Sequence, residues 1–249
     1  MIRIGIIGGS GLENPDILKL SSTKTVVTPY GKLASPLLSG ILRGCETVIL
    51  SRHGWHHTVP PSQVNNRANI YALKEAGCTH IIATTACGSL REEIGRGDIV
   101  IPDQFIDFTH HRLHTFFEEF EPDNMKHASM ADPFDPGLRD LLVKTAHDLG
   151  LKIHPKGTVI TIEGPRFSTR AESKMFRIWG ADIVNMSLAP EVILANELGI
   201  PYAAVAMSTD YDSWKEEEKP VTWEEVLKVF NENVNNVLQL ITTAIGRIS

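Results

Sequence analysis

The segment STDYDSW carries two acids, Asp210 and Asp212, at the end of an apolar run. Alternate spacing puts both carboxylates on one side of an extended chain. A protonated member of such a pair can donate to a leaving nitrogen, and an ionised one can accept from an exocyclic amine. That division requires burial or a ligand to raise at least one pKa above the ordinary ~3.9. As a bare motif, D-x-D at a strand end serves structure or metal binding equally well. A second set of groups suits an anion: the hydroxyls of Ser10, Thr85 and Ser187, the guanidinium of Arg52, the imidazole of His53, and turn amides near Gly8 and Ala86. Together they offer charge and several oriented donors, a strong set for free phosphate. Arg52 beside His53 depresses the imidazole pKa, and a bound phosphate would offset that depression.

These groups fall at the ends of apolar runs. Ser10 follows IGIIGG, Arg52 and His53 follow TVILS, and Thr85 and Ala86 follow HIIAT. Met186 and Ser187 close ADIVNMS, and the acids close YAAVAMSTDYD. With DIVIPDQFIDFT and KGTVITIEGP, these β-branched runs read as strands. In a mostly parallel sheet the carboxyl ends of strands share one edge, where ligands bind, so the five groups converge on one pocket. Helical patterns lie between them: QVNNRANIYALKEAG, PGLRDLLVKTAHDLG, TRAESKMFRIWG and APEVILANELG, closed by Gly77, Gly150, Gly180 and Gly199. Thr169 with Glu172, and Thr222 with Glu225, are candidate capping boxes. A last helix carries an apolar stripe, with Val226, Leu227, Phe230 and Val234 at its start. Residues 110–136 are polar, aromatic and proline-punctuated, and read as a long functional loop or a partner-facing excursion. The acidic run 216–218 reads as a solvated loop.

Several classes are disfavoured. A dinucleotide site would want G-x-G-x-x-G opening a helix and an acid about twenty residues on; the first turn has neither. His110 and His114 would share a helical face as metal ligands do, yet no HExxH or Cys/His quartet accompanies them and Arg112 adds positive charge beside them. We therefore expect no metal site. Cys45, Cys78 and Cys87 form an odd set without a CxxC pair, which argues for a reducing compartment, and Cys87 reads as a small buried apolar residue. A net charge of -6 disfavours nucleic acid or an anionic membrane as partner. No run is long enough to span a bilayer. At 249 residues and 42% apolar content, one domain over residues 1–249 and a cytoplasmic location are expected.

The segments GIIGGSGL, TPYGKLASP, SRHGWHHTVPPSQVNNRANIYALKEAGCTHIIATTACGSL, GDIVIPDQFIDFT, GTVITIEGPRFSTRAES and STDYDSWKE resemble, in order and over essentially the whole chain, the motifs of the 5′-methylthioadenosine phosphorylases, within the trimeric purine nucleoside phosphorylase family. The resemblance implies an α/β phosphorylase fold whose mixed, largely parallel central sheet is flanked by helices. It also implies a homotrimer with active sites at subunit interfaces, no cofactor, and phosphorolysis of 5′-methylthioadenosine to adenine and 5-methylthioribose 1-phosphate. It places Ser10, Arg52, His53, Thr85, Ala86 and Ser187 on phosphate and the Met186 backbone on the ribose hydroxyls. Phe167 and Ser168 line the base, Asp210 and Asp212 bind N7 and the 6-amino group, and Val226 and Leu227 form the apolar 5′ pocket with His127 of a neighbouring subunit. Ser168 and Trp223 are the specificity positions. Ser10 and Ser187 stand where threonine is common, and Trp223 where relatives tend to carry a smaller residue. The alternatives are a broader purine nucleoside phosphorylase acting on adenosine or inosine, and a nucleoside-binding module without turnover.

Overall fold

The computed structural model describes residues 1–8, 17–218 and 221–248; Ser10 and its glycine turn lie outside the described residues. The first apolar run forms β1 (Arg3–Gly8), and the chain continues through β2 (Lys19–Lys24), β3 (Val27–Thr28), β4 (Gly31–Lys32), β5 (Leu37–Leu42) and β6 (Cys45–Ser51). Helix α1 (Asn66–Glu75) leads into β7 (His80–Ser89), followed by β8 (Ile99–Val100) and β9 (Gln104–Phe108). The second half comprises α2 (Pro136–Asp148), β10 (Ile153–His154), β11 (Thr158–Ile162), α3 (Arg170–Ile178), β12 (Ile183–Asn185), α4 (Leu188–Glu197), β13 (Tyr202–Tyr211) and α5 (Trp223–Ile245).

Among the described residues an 11-stranded sheet runs in the order β10-β8-β13-β7-β1-β6-β5-β2, with β12, β11 and β9 branching from β7. Its centre is parallel: β13 on β7, β7 on β1, and β1 on β6. Antiparallel neighbours flank that centre, where β5 meets β6, β2 meets β5, β8 meets β13 and β12 meets the end of β7. The expected mixed, largely parallel sheet is thus the one observed. Both faces are covered, as a parallel sheet requires. Along β13, Tyr202, Ala204 and Ala206 pack with Ile70, Leu73, Leu188 and Val192 of α1 and α4, whereas Ala203, Val205 and Met207 pack with Leu142 of α2 and Phe230 and Leu240 of α5. A slip of one residue would exchange these two faces, so the alternation fixes the register. A third cluster, with Phe176 of α3, Ile160 and Val184, closes the β11–β12 branch.

The capping signals have specific outcomes. Thr169 and Glu172 form a reciprocal capping box, with Glu172 N donating to Thr169 Oγ1 at 3.1 Å and Thr169 N to Glu172 Oε2 at 2.7 Å. At α5 only half of the box is made: Glu225 N donates to Thr222 Oγ1 at 3.3 Å. Gly77, Gly150, Gly180 and Gly199 each follow a helix with positive φ, as expected. DIVIPDQFIDFT, however, is two strands: β8 pairs with β13 and β10, β9 with β11. Pro102 interrupts it, having no N–H to continue a ladder. Residues 110–135 form an irregular excursion, as read, ending where Pro136 opens α2, and fixed where Arg112 donates to Glu163 Oε1 (2.8 Å) and to the Met186 carbonyl (3.3 Å).

Candidate active site

The ends of β6, β12 and β13 and the second half of β7 open on one cavity, closed from above by the first turns of α5; against expectation, Thr85 and Ala86 lie within β7 rather than after it, and β12 reaches the cavity running antiparallel to β7. The cavity lining includes Arg52, His53, Thr85, Ala86, Met186, Ser187, Phe167, Ser168, Asp210, Asp212, Trp223, Val226 and Leu227. All the candidate residues inside the described chain therefore converge there, except His127. That side chain is exposed, against Phe120 at 5.5 Å between ring centroids, and does not line its own chain's cavity.

The anion-suited groups are held close together. Thr85 Oγ1 and Ser187 Oγ lie 3.2 Å apart, and Asn185 Nδ2 approaches them at 3.4 and 3.5 Å. Ser187 is the N-cap residue of α4, yet its side chain makes no capping bond. Its hydroxyl is turned to Thr85 instead, leaving a helix N-terminus beside the cluster, a favourable setting for negative charge. Arg52, 2% exposed, forks onto Glu191 through Nε and Nη2 (3.0 Å to Oε2), and its Nη1 donates to the Thr84 carbonyl at 3.0 Å. The guanidinium thus reaches the cavity with its charge already matched, which the local sequence around Arg52 does not disclose.

His53 Nδ1 lies 2.8 Å from the Val59 carbonyl, so in the neutral ring that nitrogen carries the proton. Burial first, then the Arg52 charge, lower its pKa to about 4. The ring stacks on His57 at 4.3 Å, and His57 lies 5.5 Å from Trp223. His57 lines the cavity, and its sequence neighbourhood of close-set histidines does not single it out. The three rings form a continuous wall from the anion cluster to the mouth at α5.

The acids occupy the far end of β13. The β7–β13 register shifts between Ser208, opposite Cys87, and Asp210, opposite Gly88, so Thr209 is the extra residue of a bulge. A bulge re-aims the side chains that follow it. Both acids approach Gly88: a Cβ there would lie 3.0 Å from Asp210 Oδ2 and 3.3 Å from Asp212 Cβ. Thr209 Oγ1 donates to Asp210 Oδ1 at 2.7 Å. Burial, reinforced by the Asp212 charge and opposed by the Thr209 bond, pushes the Asp210 pKa up to about 7. Burial raises Asp212 as well, and the nearby hydroxyls of Ser173 and Ser168 pull it back. Neither completes a hydrogen bond of ordinary geometry. Asp212 Oδ2 and the Ser168 hydroxyl are buried without such a bond among the described residues. Both belong to cavity-lining residues, where a polar ligand would satisfy them.

The cavity can therefore hold an anion at one set of groups and offer a weakly acidic carboxyl at another. The histidines read as a metal pair are arranged otherwise. His110 packs edge-on against Phe108 at 5.2 Å, and His114 Nδ1 lies 3.8 Å from Asp107, in chain that is not helical. Burial raises the Cys87 thiol pKa well above its ordinary value, consistent with a residue that packs rather than reacts.

Comparison with known proteins agrees with this geometry. Residues 3–246 match the model of the phosphorylase superfamily. S-methyl-5′-thioadenosine phosphorylase of Xenopus tropicalis is 54% identical over 251 residues, covering 100% of this chain and 89% of that protein. The enzyme of the same name from Danio rerio is 53% identical over 249 residues, covering 99% and 89%. Among solved structures, methylthioadenosine phosphorylase of Schistosoma mansoni in complex with adenine superposes with a TM-score of 0.93 at 42% identity, covering 100% of this chain and 92% of that one. A variant of the adenosine/methylthioadenosine phosphorylase from that organism, in complex with methylthioadenosine, gives 0.92 at 41% identity with the same coverage. Whole-chain similarity in both sequence and fold establishes that this chain belongs to the phosphorylase superfamily and, within it, to the S-methyl-5′-thioadenosine phosphorylases.

Proposed function

We propose that the chain cleaves 5′-methylthioadenosine with inorganic phosphate, giving adenine and 5-methylthioribose 1-phosphate. The observation that carries this reading is a buried acid of raised pKa, Asp210, in one cavity with the Arg52–Thr85–Ser187 anion cluster. As the glycosidic bond stretches, positive charge grows on the sugar and negative charge on the purine. Phosphate, bound by Arg52, His53, Thr85, Ala86 and Ser187 together with Ser10, stabilises the first and attacks the anomeric carbon. Asp210, protonated near neutral pH, delivers its proton to N7 and stabilises the second. Asp212 accepts from the 6-amino group, Phe167 and Ser168 line the base, and the Met186 backbone meets the ribose hydroxyls. Val226 and Leu227 hold the methylthio group, with Trp223 setting the width of that end. Positioning and electrostatics suffice, so we infer that no cofactor takes part.

The finer assignments belong to the same proposal. A homotrimer would bring His127 of a neighbouring subunit to the 5′ end. Exposed Leu113, Phe120 and Met125 on the same irregular excursion supply apolar surface for such a contact. Free Cys45, Cys78 and Cys87 suit a cytoplasmic location, and the products, a free purine and a methylthio sugar phosphate, suit a role in purine and methionine salvage; among the described residues no helix is long and apolar enough to cross a membrane. A second reading, with adenosine as an additional substrate, is favoured by the structural neighbour named for both nucleosides. Base release from 5′-methylthioadenosine, adenosine and inosine, each with and without phosphate, tests both. Phosphate-dependent adenine release fastest from the methylthio substrate is expected; equal rates with adenosine would establish the broader reading, and preference for inosine would overturn the role given to the acids.

A further inference from the structure

Glu191 is wholly buried, 0% exposed, in the first turn of a helix whose other inward residues, Leu188, Ala189, Val192, Leu194 and Ala195, are apolar. Its carboxylate accepts from Arg52 Nε, from Arg52 Nη2 at 3.0 Å and from the Tyr202 hydroxyl at 2.8 Å. Tyr202 is itself 1% exposed at the start of β13. Buried ion pairs are weak contributors to stability, since well-packed apolar residues of the same volume do as well or better. A buried pair against the floor of a ligand cavity therefore calls for another reason.

The donor inventory supplies one. A guanidinium has five N–H groups. Among the described residues Arg52 commits Nε–H and one Nη2–H to Glu191 and one Nη1–H to the Thr84 carbonyl. One N–H on each Nη is left for a ligand, and Arg52 lines the cavity. The backbone end is fixed too, because Arg52 N donates to the Gly8 carbonyl at 3.0 Å. We infer that Glu191, steadied by Tyr202, is the positioning residue of the phosphate subsite: it locks the Arg52 fork so that phosphate meets two oriented N–H groups on a charge-matched pair. The inference rests on the phosphorolysis reading. It further implies that the anion is bound by hydrogen-bond geometry more than by net charge, which suits a site that must also release a sugar phosphate.

Glu191→Gln tests this, because the amide puts a donor where the fork needs an acceptor. Losing one charge-assisted bond and its alignment is expected to raise the KM for phosphate about tenfold or more, with the KM for 5′-methylthioadenosine nearly unchanged. Tyr202→Phe removes one bond and leaves the ion pair, so a smaller rise of the same kind is expected; it carries the test if Glu191→Gln does not fold. Folded variants whose phosphate KM stays at the parent value would make the pair merely structural and overturn the proposal. A fall in phosphate KM would overturn it as well, by showing that Glu191 only screens the Arg52 charge. Parent turnover that ignores phosphate would instead refute the phosphorolysis reading, a result visible before either variant is made.

Discussion

Replacing Asp210 by Asn separates the acid's chemical role from its cost to the fold. The pKa of about 7, against an ordinary 3.8, is set chiefly by burial. At low pH both the folded and unfolded chains carry the proton. Between 3.8 and about 7 the unfolded acid loses it while the folded one keeps it, so rising pH favours unfolding; at 1.36 kcal/mol per pH unit the loss reaches about 4 kcal/mol and then levels off. Asn keeps the acceptor for Thr209 Oγ1 and has no proton to lose. His53 runs the other way, its lowered pKa adding stability as pH rises from about 4 to 6.5. That contribution is common to both proteins and cancels in the difference. Urea unfolding at about pH 5 and about pH 8 is therefore expected to show Asp210→Asn gaining on the parent by about 3 kcal/mol over that interval. Its kcat should fall about a hundredfold or more with loss of the general acid, while adenine nucleosides still bind. A stability gap that does not change with pH, or turnover close to the parent's, would refute the reasoning.

Other consequences are equally direct. In the parent enzyme, kcat/KM should decline above about pH 7 as Asp210 ionises, and the decline should vanish in Asp210→Asn. Asp212→Asn gives the base site a donor for a 6-oxo group; relative kcat/KM for inosine over adenosine should rise roughly tenfold to a hundredfold, since mispaired buried polar groups cost about 1–3 kcal/mol. Gly88→Ala puts a methyl group 3.0 Å from Asp210 Oδ2 and 3.1 Å from Val184 Cγ1. Activity should drop about tenfold or more, because misplacement near reacting atoms is costly, while the thermal midpoint moves little. Trp223→Ala opens the 5′ end, and the preference for 5′-methylthioadenosine over adenosine should shrink by up to about tenfold in kcat/KM.

Features written locally in the chain were legible as sequence. The acids at Asp210 and Asp212 share a strand end, Arg52, His53 and Ser187 follow apolar runs, and the Thr169–Glu172 box spans one helical turn; these emerge where their spacing predicts, whereas Thr85 and Ala86 lie within β7 instead of after it. Features made by distant chain were not. Glu191 is 139 residues from Arg52, and only the fold brings them together; the one local hint was a charge on the buried, otherwise apolar side of its helix. Gly88 and Asn185 matter through what packs against them, which no local pattern encodes. Strands β2 and β5 lacked a signal for a different reason. The first, KLSSTK, is exposed throughout, and the second, LLSGIL, carries Gly40, whose position leaves no room for a Cβ beneath the Lys19 carbonyl at 2.8 Å. Pairing, not apolar alternation, makes them strands: β2 lies at the sheet edge on β5, and β5 is bonded on both sides, to β2 and to β6.

The pairing of β7 with β13 also dictates when the site can exist. These two strands provide the cavity's floor from Thr84 to Gly88 and at Thr209 and Asp210, with Asp212 just past the end of β13, yet α2, α3 and α4 intervene between them along the chain. Closing so long a loop costs entropy before any contact repays it, and non-local parallel pairing is slow for that reason. Until β13 docks and α5 settles over it, Arg52 has no Glu191 held by Tyr202, and Asp210 has neither its neighbour Gly88 nor the burial that keeps it protonated. During synthesis, then, a nascent chain that has not yet placed β13 and α5 lacks the assembled nucleoside site. On dilution from denaturant, recovery of turnover must trail recovery of secondary structure, which makes catalysis a reporter of the last tertiary event rather than of folding in general.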